Sequence, residues 1–331
     1  MRAILVREPG DESVLVPGDA PAPVLGPSDV RIRIRATAVN RADLMQRQGL
    51  YPPPPGVTPI LGLECAGEVA EVGAEIPDIR DVHVGQRVMA LLPGGGYAEE
   101  ACVDHGSVLP VPDGMSDEEA GAFPEVFLTA FSNLFMPGLG ALEAGECALV
   151  HGGGGGVGTA AIMLLREAGN RCIVTVGSPE KAKRCVKLGA SAAIDYRTED
   201  FAARVQALTD GRGVDVILDH IGGRYLAQNL ASLAVGGRLV EIGLMGGAQA
   251  ELNLALMLMR RLAVIGSTLR SRSVAQKAAI VRGFRERFGS ALAAGRLRPV
   301  VHTVLPLAEA ARAHRLMKAS DHFGKIVLRV G

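Results

Sequence analysis

The 331-residue chain contains no tryptophan, and aromatic side chains make up only 4% of it. Its cores must be built from Ala, Val, Leu and Ile, a composition that suits a parallel sheet buried under helices. Cysteines are few and dispersed. Cys65, Cys102, Cys147, Cys172 and Cys185 are odd in number and never form C-x-x-C, so neither a disulfide framework nor a structural zinc site is expected. Most are read as small apolar core residues. Net charge is also missing: Lys plus Arg number 35 and Asp plus Glu number 35. No basic field exists to attract nucleic acid or an anionic membrane, and a small neutral partner is favoured. No apolar run approaches a membrane span. The opening Met1-Arg2-Ala3-Ile4-Leu5-Val6-Arg7-Glu8-Pro9 meets charge and proline too early for a secretory signal, so a cytoplasmic location is expected.

What is present has two grammars. Up to about residue 120 the chain reads mainly as strands: 3–6, 30–36, 67–72 and 87–90. In Val30-Arg31-Ile32-Arg33-Ile34-Arg35-Ala36, arginines alternate with apolar residues, as a strand solvated on one face requires. Pro52 to Pro55 cannot lie inside a helix or central strand and mark a rigid surface loop. From about Gly121 helices alternate with strands at 147–152, 171–176, 214–218, 237–242 and 263–266, the pattern of a doubly wound parallel sheet. A long amphipathic helix is expected over 274–294. A final strand over 324–330 would return to the first domain. The expected division is residues 1–122 and 267–331 for the β-rich domain and 123–266 for the nucleotide-binding domain.

The densest signal is His151-Gly152-Gly153-Gly154-Gly155-Gly156-Val157-Gly158, placed between the apolar run 147–150 and the helical pattern after Thr159. Strand, glycine turn and helix in this order bring backbone N–H groups and a helix N-terminus to a pyrophosphate, so a dinucleotide is the expected ligand. A run of five glycines also fits a plain flexible loop, but the flanking strand and helix argue against that. The next strand ends at Val176-Gly177-Ser178 without the acid that NAD-specific sites use for the ribose 2′-hydroxyl. With Lys181 one turn on, this end admits a 2′-phosphate, although Lys181 as a solvated helix residue is the alternative. The seven histidines show no metal-ligand spacing; His151 and His220 are read as hydrogen-bonding residues at strand ends. Arg270 and Arg272 are read as exposed arginines that could line a cofactor or substrate mouth.

Longer words carry a resemblance. Asn40-Arg41-Ala42-Asp43-Leu44-Met45-Gln46-Arg47-Gln48-Gly49, Tyr51 with its prolines, Ile60-Leu61-Gly62-Leu63-Glu64, Ala90-Leu91-Leu92-Pro93-Gly94-Gly95-Gly96, Gly243-Leu244-Met245-Gly246-Gly247 and Leu269-Arg270-Ser271-Arg272 resemble the zinc-independent quinone oxidoreductases of the medium-chain dehydrogenase/reductase superfamily. Within these, the p53-inducible quinone oxidoreductase type is the nearest likeness. The resemblance implies an α/β protein with a GroES-like β-rich catalytic domain and a Rossmann domain. Where the superfamily's zinc enzymes carry a Cys and a His, this chain has Asn40 and Leu63, and no metal is expected. Glu64 is then more a hydrogen-bonded structural residue than a catalytic one.

The resemblance also assigns the 2′-phosphate to Gly177, Ser178, Lys181 and Tyr196, which makes NADPH the expected cofactor. Its remaining contacts are expected from Gly152, Gly155, Gly156, Val157 and Gly158. The nicotinamide end is expected in the cleft between domains, near Asn40, Thr129 and the loop Gly243-Leu244-Met245. Asn40 and Tyr51 are the expected donors to the oxyanion that forms as hydride arrives, while a turn-stabilising Asn40 and a Tyr51 packed on prolines remain open. The expected activity is NADPH-dependent reduction of a small quinone. Reduction of an activated C=C bond, and non-catalytic NADPH binding, are the competing readings. Family likeness further implies a homodimer joined through the edge strand at 263–268.

Overall fold

The computed structural model describes residues 1–76 and 82–331, and the chain divides into two compact units, Met1–Leu128 with Leu269–Gly331, and Thr129–Thr268. The first unit opens with β1 (Arg2–Val6), β2 (Leu15–Asp19), β3 (Asp29–Ala38), α1 (Arg41–Arg47), β4 (Glu64–Val72), β5 (Arg87–Leu91), β6 (Glu100–Asp104), β7 (Val108–Pro110) and α2 (Asp117–Ala120). Helix α3 (Pro124–Phe135) runs from the first unit into the second. The second unit alternates β8 (Cys147–Val150), α4 (Gly156–Ala168), β9 (Arg171–Val176), α5 (Pro179–Leu188), β10 (Ala192–Asp195), α6 (Phe201–Leu208), β11 (Val214–Asp219), α7 (Leu226–Ser232), β12 (Leu233–Glu241), α8 (Leu254–Arg260) and β13 (Ala263–Gly266). The chain then re-enters the first unit with α9 (Val274–Ala293), β14 (Val301–Pro306), α10 (Ala310–Ala319) and β15 (Lys325–Arg329).

In the first unit, the arginine alternation of β3 does what its period demands. Val30, Ile32 and Ile34 are buried, whereas Arg31 and Arg35 reach Glu71 and Glu68 across the strand pair β3–β4. The main sheet runs β14-β15-β3-β4-β5-β7, with β6 also pairing with β3. Its C-terminal strand β15 joins antiparallel through Val327 opposite Ala38, so the end of the chain closes the unit in which it began, as expected from the sequence.

In the second unit all six strands are parallel, in the order β10-β9-β8-β11-β12-β13. Successive connections leave β8 in opposite directions, which makes the carboxyl ends of β8 and β11 the switch point where such sheets bind ligands. Local chemistry sets the boundaries. Ser178 caps α5, Pro179 takes its first turn, and Gly189 ends it. Gly169 ends α4 with φ 74°, a left-handed conformation suited to glycine. The first strand of this unit stops at Val150 rather than continuing to residue 152, because Gly152 turns the chain with φ +65°. Four of the five cysteines are buried and the fifth, Cys102, is half-buried. Among the described residues, no helix is long and apolar enough to cross a membrane.

Candidate functional site

In the first unit, β3 delivers Asn40 to the start of α1, where its backbone N–H donates to Asp43 Oδ2 at 2.7 Å. Asp43 Oδ1 accepts the Gly62 N–H at 3.0 Å, tying the helix start to the turn before β4. Burial pushes the Asp43 carboxyl up to about 6, against the opposing pull of these two N–H groups. Beside it lies a closed polar cluster. Lys325 Nζ donates to Asn40 Oδ1 at 2.6 Å, Glu64 Oε1 at 2.8 Å and the Val39 carbonyl at 3.1 Å. Asn40 Nδ2 donates to Glu64 Oε1 at 2.9 Å and to the Ala38 carbonyl at 3.3 Å. Glu64 Oε2 accepts the Glu125 N–H at 2.9 Å. An ammonium can face only the amide oxygen, so Lys325 fixes which way the Asn40 amide points.

This arrangement corrects one expectation. Asn40 is not a spare donor, because both of its amide hydrogens are committed within the cluster. What it can still offer is acceptor capacity on Oδ1. Tyr51 differs. Among the described residues its hydroxyl has no hydrogen-bond partner, and burial raises its pKa with a further push from Glu125. The Arg270 guanidinium lies 5.4 Å from the Tyr51 ring centre, donates to the Tyr51 carbonyl at 3.4 Å and holds the Pro93 carbonyl at 2.7 Å. Arg270 is thus 4% exposed, not a surface arginine. Two groups that no motif marked belong to the same electrostatic neighbourhood. Burial raises the Glu125 carboxyl to about 8, and burial lowers the Lys277 ammonium. They come from α3 and α9, which explains why linear spacing did not reveal them.

In the second unit the structure brings most of the expected cofactor residues to one end of the sheet. Gly152 crosses the edge of His220, with no room for a side chain between them. A Cβ on Gly158 would meet the Gly153 Cα at 2.6 Å, so helix α4 can approach the turn only with glycine there. Gly155 is the N-cap of α4, and Gly156, Val157 and Gly158 form its first turn. At the end of β9, Ser178 Oγ accepts the Lys181 N–H at 3.3 Å. The Tyr196 hydroxyl and Arg197 Nε stand 2.6 Å and 3.3 Å from where a Gly177 Cβ would be. Arg197 is a further cation at this end that no motif in the sequence marks. Gly243 packs on His220, and Leu244 and Met245 beyond it are exposed. Thr129 is buried in α3, its carbonyl accepting from Ser132 Oγ and Asn133 Nδ2. Among the described residues, no three His, Cys, Asp or Glu side chains gather as they would to hold a metal ion.

A β-rich sheet unit carrying a buried polar cluster, together with a parallel 3-2-1-4-5-6 sheet with a glycine turn, is the architecture of a two-unit dinucleotide-binding protein. The alcohol dehydrogenase GroES-like domain family matches residues 26–113, and the zinc-binding dehydrogenase family matches residues 156–281. A solved NAD-dependent alcohol dehydrogenase is 33% identical, with all of both chains covered and a TM-score of 0.84. The chain belongs to the medium-chain dehydrogenase/reductase superfamily. The Escherichia coli quinone oxidoreductase in complex with NADPH is 26% identical, with 99% of this chain and 100% of that chain covered and a TM-score of 0.85. The mycocerosic acid synthase-like polyketide synthase of Mycobacterium tuberculosis is 33% identical over 328 residues, which are 98% of this chain but only 15% of that protein.

Removing one partner of the buried cluster leaves the other's charge without compensation. Lys325→Met is expected to lower unfolding stability by about 3–5 kcal/mol, read from chemical denaturation. Lys325→Met combined with Glu64→Gln should recover part of that loss, since the orphaned carboxylate is then gone.

Proposed function

We propose that the protein is an NADPH-dependent quinone oxidoreductase that works without zinc and belongs to the p53-inducible quinone oxidoreductase type. The observation that carries this reading is the cluster around Asn40. Two positions where the superfamily's zinc enzymes place metal ligands hold an amide and Leu63, and the amide is already satisfied by Glu64 and the Lys325 ammonium. A quinone suits such a site, because its reduced anion is a stabilised phenolate that can take its proton from water. It needs little electrophilic help. The structural relative with NADPH bound supports the same acceptor class and cofactor.

NADPH supplies the hydride when bound. The tight cradle at Gly152 and Gly158 fits a pyrophosphate against the N-terminus of α4. Gly177, Ser178, Lys181, Tyr196 and Arg197 would hold the 2′-phosphate, with no carboxylate at Gly177 to repel it. This favours NADPH over the NAD of the alcohol dehydrogenase relative. Gly243, Leu244, Met245 and Thr129 would complete the cofactor contacts of this unit. In the other unit, Asn40 Oδ1 would accept a hydrogen bond and Tyr51 would donate one. Reduction of an activated C=C bond is the second reading, favoured by the likeness to a polyketide synthase segment and by the uncommitted Tyr51 hydroxyl. That reaction needs a proton delivered to carbon.

A homodimer through β13 completes the proposal. Among the described residues this strand is one of the two edges of its sheet, and on the preceding α8 Leu254, Leu258 and Met259 are 64%, 79% and 72% exposed. Five unpaired thiols accord with a reducing, cytoplasmic setting.

Chelator-treated protein should oxidise NADPH rapidly with 1,2-naphthoquinone and 1,4-benzoquinone, and Tyr51→Phe should leave most of that rate. Turnover confined to an enone, and lost by roughly a hundredfold in Tyr51→Phe, would move the assignment to C=C reduction. No turnover with any acceptor would leave a cofactor-binding protein. In a separate titration, Lys181→Glu is expected to weaken NADPH by roughly tenfold or more while NADH changes little; equal losses would remove Lys181 from the phosphate site. Leu258→Glu should convert dimer to monomer in light scattering, and an unchanged mass would refute the β13 interface.

A further inference from the structure

Beneath the glycine turn of the second unit runs a chain of four buried polar side chains that the proposed chemistry does not use. His151, Thr175, Asn229 and Asp219 are each no more than 1% exposed, and they come from the residue after β8, from β9, from α7 and from β11. Asn229 Nδ2 donates to Asp219 Oδ2 at 2.9 Å, which leaves Asn229 Oδ1 as an acceptor toward His151 Nε2 at 2.8 Å. His151 must therefore carry its hydrogen on Nε2. Its Nδ1 then accepts from Thr175 Oγ1 at 2.9 Å. Burial lowers the His151 pKa, in agreement with a neutral ring.

The chain reaches two turns. Thr175 Oγ1 faces the Gly152 N–H at 3.4 Å, and the Thr175 carbonyl accepts the Gly153 N–H at 2.9 Å. Asp219 accepts the N–H groups of Ile221 at 2.6 Å and Gly222 at 3.1 Å. It thus ties the glycine turn after β8 to the turn after β11, the two turns that flank the switch point of the sheet. The His151 ring also packs against Phe201 and Tyr225, both with centroids at 4.9 Å, and these two rings touch each other at 4.8 Å. A buried polar chain is costly unless its members are satisfied; from Thr175 to Asp219 each bond has one donor and one acceptor, and beyond Asp219 lies the Glu241 carboxyl, which burial and the Asp219 charge push up to about 8.

We infer that His151 and Asn229 are positioning residues for the dinucleotide, holding Gly152 and Gly153 so that the N–H groups at the start of α4 are fixed for a pyrophosphate before it binds. The inference rests on the proposed NADPH site. Small displacements of such donors cost affinity steeply.

The experiment compares wild type with His151→Leu, His151→Gln and Asn229→Leu, using NADPH fluorescence for Kd, thermal melting for stability and amide hydrogen exchange across residues 152–158. Gln keeps one donor and one acceptor in place of the imidazole nitrogens; Leu keeps neither. The expected result is a Kd weakened roughly tenfold to a hundredfold in both Leu variants, near-wild-type binding in His151→Gln, and an unchanged KM for the quinone. Faster exchange over 152–158 should accompany the loss. Leu variants that melt lower but bind NADPH as tightly as wild type would overturn the inference, and so would a His151→Gln variant as weak as His151→Leu. Should wild type bind no NADPH, the cofactor reading fails by itself. Faster exchange in the Leu variants but not in Gln would still support the positioning chain, and equal exchange in all would overturn it. If His151→Leu does not fold, Thr175→Val breaks the same chain at its other end and is read in the same way.

Discussion

The contact between Lys325 and Glu64 is the constraint on which the first unit turns. Their side chains are 2% and 0% exposed and meet at 2.8 Å. Through Lys325, the last strand of the chain is fixed to the end of β3, to Asn40 and to the start of β4. Through Glu64, the same point reaches the first turn of α3. Two buried charges gain little net stability over a well-packed apolar pair, because desolvation consumes most of their attraction. Their value lies in geometry. An ammonium with three hydrogens and a carboxylate with two oxygens accept very few arrangements, and an apolar core would accept many. Asp43 extends the restriction by capping Asn40 and Gly62 from the same helix, so the orientation of one amide is set by four separate stretches of chain.

The parallel sheet is legible in the sequence because each of its signals is local. Arg171–Val176 and Ala263–Gly266 are read with their observed ends. The short β10 escapes, since four residues beside a helix give too little period to recognise. The site is less legible. The glycine turn and Gly177-Ser178 are compact words whose backbone role can be recognised in one dimension. Asn40 can be found but its commitment cannot, because Lys325 donates to it from 285 residues away. Arg270 reads as exposed for the same reason. Nothing adjacent in sequence indicates that the carbonyls of Tyr51 and Pro93 would bury its guanidinium.

The two units divide the physics. In the second, the glycine turn and the first turn of α4 present backbone N–H groups, which cannot titrate, and glycine allows the turn and the helix to approach closely. Side chains there support the backbone. In the first unit the polar groups are side chains, and most of those in the Asn40 cluster have been tied up. Lys325 has donated all three hydrogens, Asn40 both of its own, and Glu64 accepts on both oxygens.

That saturation bears on the reaction. A site that must protonate carbon needs a donor able to lose its proton and recover it. The Asn40 cluster cannot serve, because each transfer would break a buried bond without replacing it. The groups still able to respond are Tyr51, Glu125, Arg270 and Lys277. Burial pushes the Tyr51 and Glu125 acids up and the Lys277 and Arg270 cations down, while the Arg270 guanidinium stays charged. A guanidinium 5.4 Å from the Tyr51 ring pulls the other way and favours tyrosinate. A quinone makes no demand on this group, since its reduced oxygen is protonated by solvent. Under the proposed function, the balance between burial and Arg270 at Tyr51 would be the physical variable that separates quinone reduction from a completed C=C reduction.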